Sequence, residues 1–182
     1  MQQQGLRSRK TIALIGMRGA GKTTIGRLLA ERLGGTFVDT DEIVTINAGK
    51  SISEIIQSEG ENGFRDLEHD ALRAAIALSP DVISVGGGGI LRPENRVLLR
   101  QNCFVVWLTA DIDILSKRIN NDEDSRNSRP PLTSLDQKEE LRVLQASRNP
   151  LYSEITNLTL ETSQRAPAEL VAKLLGEYPA ER

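Results

Sequence analysis

Residues 16–23 read Gly16-Met17-Arg18-Gly19-Ala20-Gly21-Lys22-Thr23. The stretch follows an apolar run, residues 11–15, that is typical of a buried parallel strand. It leads into residues 24–33, where apolar side chains recur at helical spacing. A strand, a glycine loop and a helix with the spacing GxxxxGK[ST] together predict a phosphate-binding loop. The alternative is an ordinary glycine-rich turn between a strand and a helix.

Each position of this loop has a chemical reason. Glycines let the backbone curl so that successive N–H groups point at phosphate oxygens. The N-terminus of the following helix adds a partial positive charge. Lys22 is expected to reach the β- and γ-phosphates of a nucleotide, and the Thr23 hydroxyl is expected to ligate Mg²⁺.

Composition restricts the class of protein. The 182 residues suit one domain, and 38% hydrophobic with 26% charged residues is typical of a soluble globular protein. A net charge of −2 gives no general electrostatic reason for binding nucleic acid or a membrane. No segment approaches the roughly 20 apolar residues of a membrane span, and residues 1–10 lack the apolar centre of a secretory signal, so we expect a cytoplasmic protein.

The single cysteine, Cys103, lies in an apolar run and is expected to be buried rather than nucleophilic.

Strands and helices alternate along the chain. The predicted strands are residues 11–15, 36–38, 82–85, 103–108 and 158–160. The predicted helices are about 24–33, 41–48, 51–60, 63–78, 93–101, 111–119, 136–147 and 167–177. This alternation predicts an α/β fold, a three-layer α/β/α sandwich on a five-stranded parallel sheet. Residues 11–178 are expected to form a single domain behind a flexible tail, residues 1–10, with a polar lid at about residues 120–133.

Two carboxylates follow the second predicted strand. Asp39 and Asp41 are two residues apart, so their side chains point to the same side if the strand geometry persists. Ligands of such sheets bind beyond the carboxyl ends of the strands. One carboxylate is expected to hold metal-bound water, and the other to accept a proton from an attacking hydroxyl. The alternative, a turn residue and a helix N-cap, is less favoured beside a phosphate-binding loop.

The glycine run at residues 86–89 follows a strand, where glycine lets the backbone approach a ligand closely. A flexible turn is the alternative. The arginines of the second half of the chain are individually typical of solvated surface charges. His69, between Glu68 and Asp70, is also expected at the surface, and a lone histidine gives no metal cluster.

Several short motifs occur in a fixed order: residues 16–23, Asp39-Thr40-Asp41, Phe64-Arg65-Asp66-Leu67-Glu68, Gly86-Gly87-Gly88, Arg129-Pro130 and Arg148-Asn149-Pro150-Leu151-Tyr152. Together they resemble the shikimate kinase family over about residues 10–177. The resemblance implies ATP-dependent phosphorylation of the 3-hydroxyl of shikimate, on the route to chorismate and aromatic amino acids. It also implies the strand order 2-3-1-4-5 of P-loop nucleoside-monophosphate-kinase-like proteins.

The resemblance also implies roles for individual residues. The catalytic residues it implies are Asp41 as base, Lys22, and Arg129 in the lid. The ATP-binding residues are Gly19, Ala20, Gly21, Lys22, Thr23, Thr24, Arg118, Arg129 and Arg165. The shikimate-binding residues are Asp41, Arg65, Gly87, Gly88 and Arg148, with the arginines on the carboxylate, a pairing that suits their planar forks. Thr23 would bind Mg²⁺ directly and Asp39 would bind it through water. The implied partners are ATP and shikimate, with no nucleic acid or membrane, and the protein is expected to be a monomer.

The sequence departs from the family pattern in places. The lid has Pro131 where the family usually has leucine, and the segment before it is acidic and longer, which bears on lid kinetics. Four glycines instead of three leave the substrate-contacting ones open by one position, and Ala166 stands where asparagine is frequent. A related small-molecule kinase, such as a gluconate kinase, is one alternative, although it does not need two carboxylate-binding arginines. A non-catalytic sensor is another, but it would be expected to lose Asp41, Lys22 or Arg129. A switch GTPase is disfavoured because no NKxD motif occurs.

Overall fold

A parallel sheet organises the chain. The structure is a computed structural model, and it describes residues 10–121 and 136–179. Five strands pair in the order β2-β3-β1-β4-β5, and every pairing is parallel. They are β1 (Thr11–Ile15), β2 (Phe37–Asp39), β3 (Val82–Ser84), β4 (Cys103–Thr109) and β5 (Leu158–Glu161). The strand order implied by the family resemblance is therefore confirmed.

Seven helices connect these strands in the part of the chain that the structure describes. They are α1 (Lys22–Leu33), α2 (Thr40–Ala48), α3 (Ile52–Ala77), α4 (Pro93–Asn102), α5 (Ile112–Asn121), α6 (Gln137–Ile155) and α7 (Pro167–Glu177). Helix α1 packs against α7, whereas α6 packs against α4 and α5. The predicted three-layer α/β/α sandwich is confirmed. No helix among residues 10–121 and 136–179 has both the length and the apolar character needed to cross a bilayer.

The main core lies around the sheet. Strands β1 and β3 are interior strands, and apart from the half-buried Thr11 at the start of β1 all their residues are buried, as parallel sheets covered on both faces require. Cys103 is 2% exposed, which confirms the expected burial, and burial raises the pKa of its thiol to about 12. A second, smaller core lies between α2 and α3 and contains Val44, Ile52, Ile55, Phe64 and Ala71. The α2–α3 unit thus packs around an apolar cluster of its own.

Two helix predictions need correction. The helix predicted to end near Ser147 continues through Pro150 to Ile155. Within this extension, Arg148 and Tyr152 are buried and donate hydrogen bonds to the carbonyl of Gly87. These tertiary contacts outweigh the backbone hydrogen bond that proline cannot make. Helix α3 is kinked at Gly60 (φ 73°, ψ 177°), where a break was predicted, but it resumes at once rather than at residue 63.

The predictions for the N-terminal tail and the lid fall largely on residues 1–9 and 122–135, which lie outside the described residues. Arg129 belongs to that second segment.

Candidate active site

The phosphate-binding loop has backbone angles that favour glycine. Gly16, Gly19 and Gly21 have φ values of 142°, 80° and 93°, in the region that residues with a Cβ rarely adopt. At Gly16 a Cβ would also overlap with the carbonyl oxygen of Leu108 on the neighbouring strand. Helix α1 begins within the last two residues of this stretch, at Lys22. The loop therefore places the positive end of a helix at the carboxyl edge of the sheet.

Two side chains at the start of α1 close the loop and link it to β2. The Lys22 ammonium donates to the carbonyl oxygens of Gly16 at 2.9 Å and Met17 at 3.0 Å. The Thr23 hydroxyl donates to Asp39 Oδ2 at 3.0 Å. The loop, its lysine and the first carboxylate of the Asp39–Asp41 pair thus form one connected group.

Asp39 has two functions in the structure. It is the N-cap of α2, because its Oδ1 accepts from the backbone N–H of Asp41 at 3.0 Å. The cap is thus Asp39 rather than Asp41, and the capping alternative does not exclude contact with the site. Burial, followed by the negative charge of Asp41, raises the pKa of Asp39, while hydrogen bonds from the Asp41 N–H, Ser84 and Thr23 partly oppose that rise.

This raised pKa predicts a stability cost at neutral pH. The folded protein binds the Asp39 proton more tightly than the unfolded chain, so this carboxylate favours folding at low pH and opposes it once it ionises. We expect Asp39→Asn to raise Tm at pH 7 to 8. For a chain of this size, each 1 kcal/mol gained in the free energy of unfolding raises Tm by about 2–4 °C. The gain should shrink as the pH falls towards the ordinary carboxyl range. Calorimetry of both proteins between pH 4 and pH 8 tests this, and an equal or larger gain at pH 4 would contradict it.

The glycine turn, residues 86–89 after β3, brings several polar groups together. A Cβ at Gly86 would lie 2.5 Å from Asp41 Oδ1 and 2.8 Å from Glu68 Oε1, so both carboxylates lie against this glycine. The carbonyl of Gly87 accepts from Arg148 at 3.2 Å and from the Tyr152 hydroxyl at 2.7 Å. At Gly86, only a residue without a Cβ fits such a close approach of side chains to the backbone.

Arg65 lies against the next residue of this turn, Gly88. A Cβ at Gly88 would overlap with its guanidinium group. The Arg65 side chain is 10% exposed, and its guanidinium hydrogen bonds to Glu61 and Glu68. Burial lowers the pKa of Arg65, but the two carboxylates more than offset this, so its pKa lies above the ordinary value. The Arg65 guanidinium is thereby kept charged at the glycine turn, which the buried Arg148 also contacts.

A cleft of about 460 Å³ opens over the phosphate-binding loop. The predicted site residues that line it are Gly19, Ala20, Gly21, Lys22, Thr23, Thr24, Asp39, Asp41, Gly87, Arg118 and Arg165. Arg118 donates to the carbonyls of Gly19 and Thr162, at 3.3 and 2.7 Å. Of the described site residues, Arg65, Gly88 and Arg148 do not line this cleft. Gly88 belongs to the glycine turn, the two arginines pack against that turn, and the cleft reaches it at Gly87.

Comparison with known proteins identifies the family. Residues 18–178 match the family model described as shikimate kinase. The chain belongs to the shikimate kinase family. A shikimate kinase of Symbiobacterium thermophilum is 42% identical over 164 residues, which are 90% of this chain and 93% of that protein. One from Xanthomonas campestris pv. campestris is 41% identical, over 90% of this chain and 89% of its own.

Solved structures agree with this assignment. The shikimate kinase of Acinetobacter baumannii, solved in complex with shikimate, has a TM-score of 0.86 at 37% identity and covers 92% of both chains. The shikimate kinase of Aquifex aeolicus has a TM-score of 0.77 at 30% identity, over 92% of this chain and 95% of that one. A gluconokinase of Sinorhizobium meliloti has a TM-score of 0.58 at 18% identity, covering 95% and 93%. The last likeness shows a shared fold alone.

Sequence reasoning missed several residues of this shikimate kinase site. Glu68 belongs to the Phe64–Glu68 motif. It lies three residues after Arg65, a spacing that brings two side chains together on a helix and could have predicted this contact. Glu61 is four residues before Arg65 and offered the same signal. Nothing in the sequence pointed to Thr162, which donates to the Ala20 carbonyl of the phosphate-binding loop at 3.2 Å.

The prediction for His69, a position at the surface, did not include its side-chain contact. It is half-buried, and its Nδ1 lies 2.6 Å from the side-chain oxygen of Asn95. Its neighbours Glu68 and Asp70 in sequence gave no indication of this contact, because the partner is 26 residues away.

Proposed function

We propose that this protein transfers the γ-phosphoryl group of ATP to the 3-hydroxyl of shikimate, giving shikimate 3-phosphate and ADP. The observation that carries the proposal is the position of Asp41. This carboxylate shares a cleft with Lys22 and Thr23 of the phosphate-binding loop and also lies against Gly86 of the glycine turn. It therefore stands between a phosphate-binding element and a turn flanked by two buried arginines.

The proposed chemistry divides the work among these groups. The arginines, Arg65 and Arg148, together with the backbone at Gly87 and Gly88, bind the shikimate carboxylate and orient the ring. Asp41 accepts the proton of the 3-hydroxyl. At the same time the hydroxyl oxygen bonds to the γ-phosphorus, and the bond between the γ-phosphorus and the β,γ-bridging oxygen breaks. Lys22 and the loop N–H groups stabilise the negative charge that moves towards the leaving ADP.

The residues present fit a Mg²⁺ ion. The hydroxyl of Thr23 and the carboxylate of Asp39 are hard oxygen donors, 3.0 Å apart, at the phosphate-binding loop. A divalent cation there would also offset the cost of holding the buried Asp39 ionised next to Asp41. We infer that Thr23 holds the ion directly and Asp39 holds it through water. When bound with ATP, Mg²⁺ neutralises charge on the phosphates.

At the nucleotide end we propose that Arg118 and Arg165 flank the adenine, since both line the cleft at its edge with α7. Arg129 is proposed to contact the transferring phosphoryl group, on the family resemblance alone. We also propose that residues 11–178 form a single domain, that the protein is a monomer and that it is cytoplasmic.

The proposed function is tested by ADP release in a coupled assay with Mg²⁺ and ATP. We expect turnover to require shikimate and to disappear with a chelator. Quinate, gluconate and nucleoside monophosphates are the comparison substrates, because each would identify a different small-molecule kinase. Equal ADP release without shikimate, or faster turnover of gluconate, would refute the assignment.

The arginines give a sharper test of substrate binding. We expect Arg148→Ala to weaken shikimate binding by about 2–5 kcal/mol, since it leaves a desolvated carboxylate short of a partner. The same loss is expected for Arg65→Ala, while the affinity for ATP stays within about twofold. Calorimetric titration with shikimate and with an ATP analogue measures both.

Arg65→Ala carries a complication for stability. It removes a cation that Glu68 contacts, and Glu68 is 2% exposed, so the variant should also lose stability. Adding Glu68→Gln should recover Tm but not shikimate affinity. Arg100→Ala, at an exposed arginine of α4, is the control for a general loss of charge. Unchanged shikimate affinity in both single variants would place the substrate carboxylate elsewhere.

A further inference from the structure

Asn95 lies outside the cleft, yet it is bonded to the glycine turn. It belongs to the first turn of α4 and is 1% exposed. Its side-chain nitrogen donates to the carbonyl of Gly89 at 2.7 Å. Its side-chain oxygen lies 2.6 Å from Nδ1 of His69 on α3. One buried amide therefore joins the end of the glycine turn to the helix that carries Arg65.

The direction of these hydrogen bonds follows from the groups involved. The Gly89 carbonyl can only accept, so the NH₂ group of Asn95 must face it. The Asn95 oxygen then faces His69, and because that oxygen can only accept, the His69 Nδ1 must carry a proton. In this series of hydrogen bonds each group acts either as donor or as acceptor, so the Asn95 amide has one favoured orientation.

The turn that Asn95 holds is the one proposed to contact the substrate. The N–H of Gly89 donates to the Gly86 carbonyl at 2.8 Å, which closes the turn. Gly86 lies against Asp41 and Gly88 against Arg65. A shift of Gly89 would therefore move the backbone between the proposed base and the proposed carboxylate ligand.

The next residue of α4 makes the matching connection on the other side. Arg96 donates to the carbonyls of Ile90 and Leu91, at 2.9 and 3.1 Å. Its Nε also lies 3.0 Å from Glu154 on α6, the helix that carries Arg148. Helix α4 thus links the turn to both arginine-bearing helices, and Asn95 is the buried half of that link.

We propose that Asn95 is a positioning residue for shikimate, with His69 fixing the orientation of its amide; this rests on the proposed function. Asn95 is not among the residues that line the cleft. It acts by holding the Gly86–Gly89 backbone at a fixed distance from Arg65, and binding sites lose affinity when such supports loosen by fractions of an ångström.

The main variant is Asn95→Leu, which keeps the size of the side chain and removes both hydrogen bonds. We expect KM and Kd for shikimate to rise about tenfold or more, since the Gly89 carbonyl loses its buried donor. KM for ATP should stay within about twofold, and kcat within about threefold. His69→Leu should raise KM for shikimate about threefold to tenfold, and His69→Asn, which keeps a donor near the Nδ1 position, should recover most of that loss. Because His69 acts through Asn95, the double leucine variant should be no worse than Asn95→Leu.

Asn102→Leu is the matched control. Asn102 is on the same helix and donates to the Leu98 carbonyl at 2.8 Å, but it is exposed and distant in sequence from the turn. A folded Asn95→Leu protein with shikimate KM within twofold of the parent would overturn the proposal, as would an equal rise in both KM values. If circular dichroism shows that Asn95→Leu does not fold, His69→Leu decides by the same criteria. A parent protein without shikimate-dependent turnover refutes the proposed function itself, and this inference with it.

Discussion

Lys22→Met is expected to lower kcat by about 100-fold or more. The ammonium group lies across the start of the phosphate-binding loop, at 2.9 Å from the Gly16 carbonyl and 3.0 Å from that of Met17. We propose that the ammonium group contacts the outer phosphates of a nucleotide bound at this loop. Removing one such preorganised donor typically costs a factor of about 10²–10³ in kcat, because charge develops there in the transition state.

The geometry adds a second expectation for the same variant. Methionine cannot donate to Gly16 and Met17, so the loop loses two hydrogen bonds, and a lower Tm should accompany the loss of turnover. Single-turnover kinetics, ATP affinity and Tm separate the two effects. Lys173→Met, at an exposed lysine of α7, is the control for removing one charge. A Lys22→Met protein with kcat within a few-fold of the parent would show that the ammonium group is not needed for the reaction.

Asp41→Asn is expected to remove most turnover, by about 10²–10⁴-fold in kcat. Asparagine keeps the shape of the side chain against Gly86 but cannot accept the proton of the attacking hydroxyl. Affinity for an ATP analogue should change by less than about twofold, since Asp39 accepts a hydrogen bond from Thr23 of the phosphate-binding loop and is kept in this variant. Stopped-flow ADP release and calorimetric titrations of each ligand provide the measurements.

A matched variant separates the role of Asp41 from its charge. Asp70→Asn changes an exposed carboxylate on α3 and should leave turnover as in the parent. If the ATP affinity of Asp41→Asn collapses while shikimate affinity is kept, Asp41 belongs to the nucleotide site and another group must act as base.

Local sequence predicts the phosphate-binding loop, the strands and two of the helix boundaries of this structure. The loop at residues 16–23 needs glycine at Gly16, Gly19 and Gly21, because their φ values lie where other residues are strained. The apolar runs became the five strands within one or two residues, since a sheet covered on both faces admits few polar side chains. Gly49 and Gly60 also stand at a helix end and a helix kink, as glycine in a helical pattern predicts.

The sequence by itself thus determined the phosphate-binding loop, the alternation of strands and helices and, through ordered motifs, the family. The family resemblance had already grouped Asp41, Arg65 and Arg148 with Gly87 and Gly88, whereas only the tertiary structure showed that Glu68 and Asn95 join them at the glycine turn. Asp41, Glu68, Asn95 and Arg148 come from four different helices, and hydrophobic periodicity contains no information about contacts between polar groups so far apart in the chain. Helix α6 continues through Pro150 for the same reason: Arg148 and Tyr152 are held by a carbonyl more than 60 residues away, and that contact outweighs the local preference to stop.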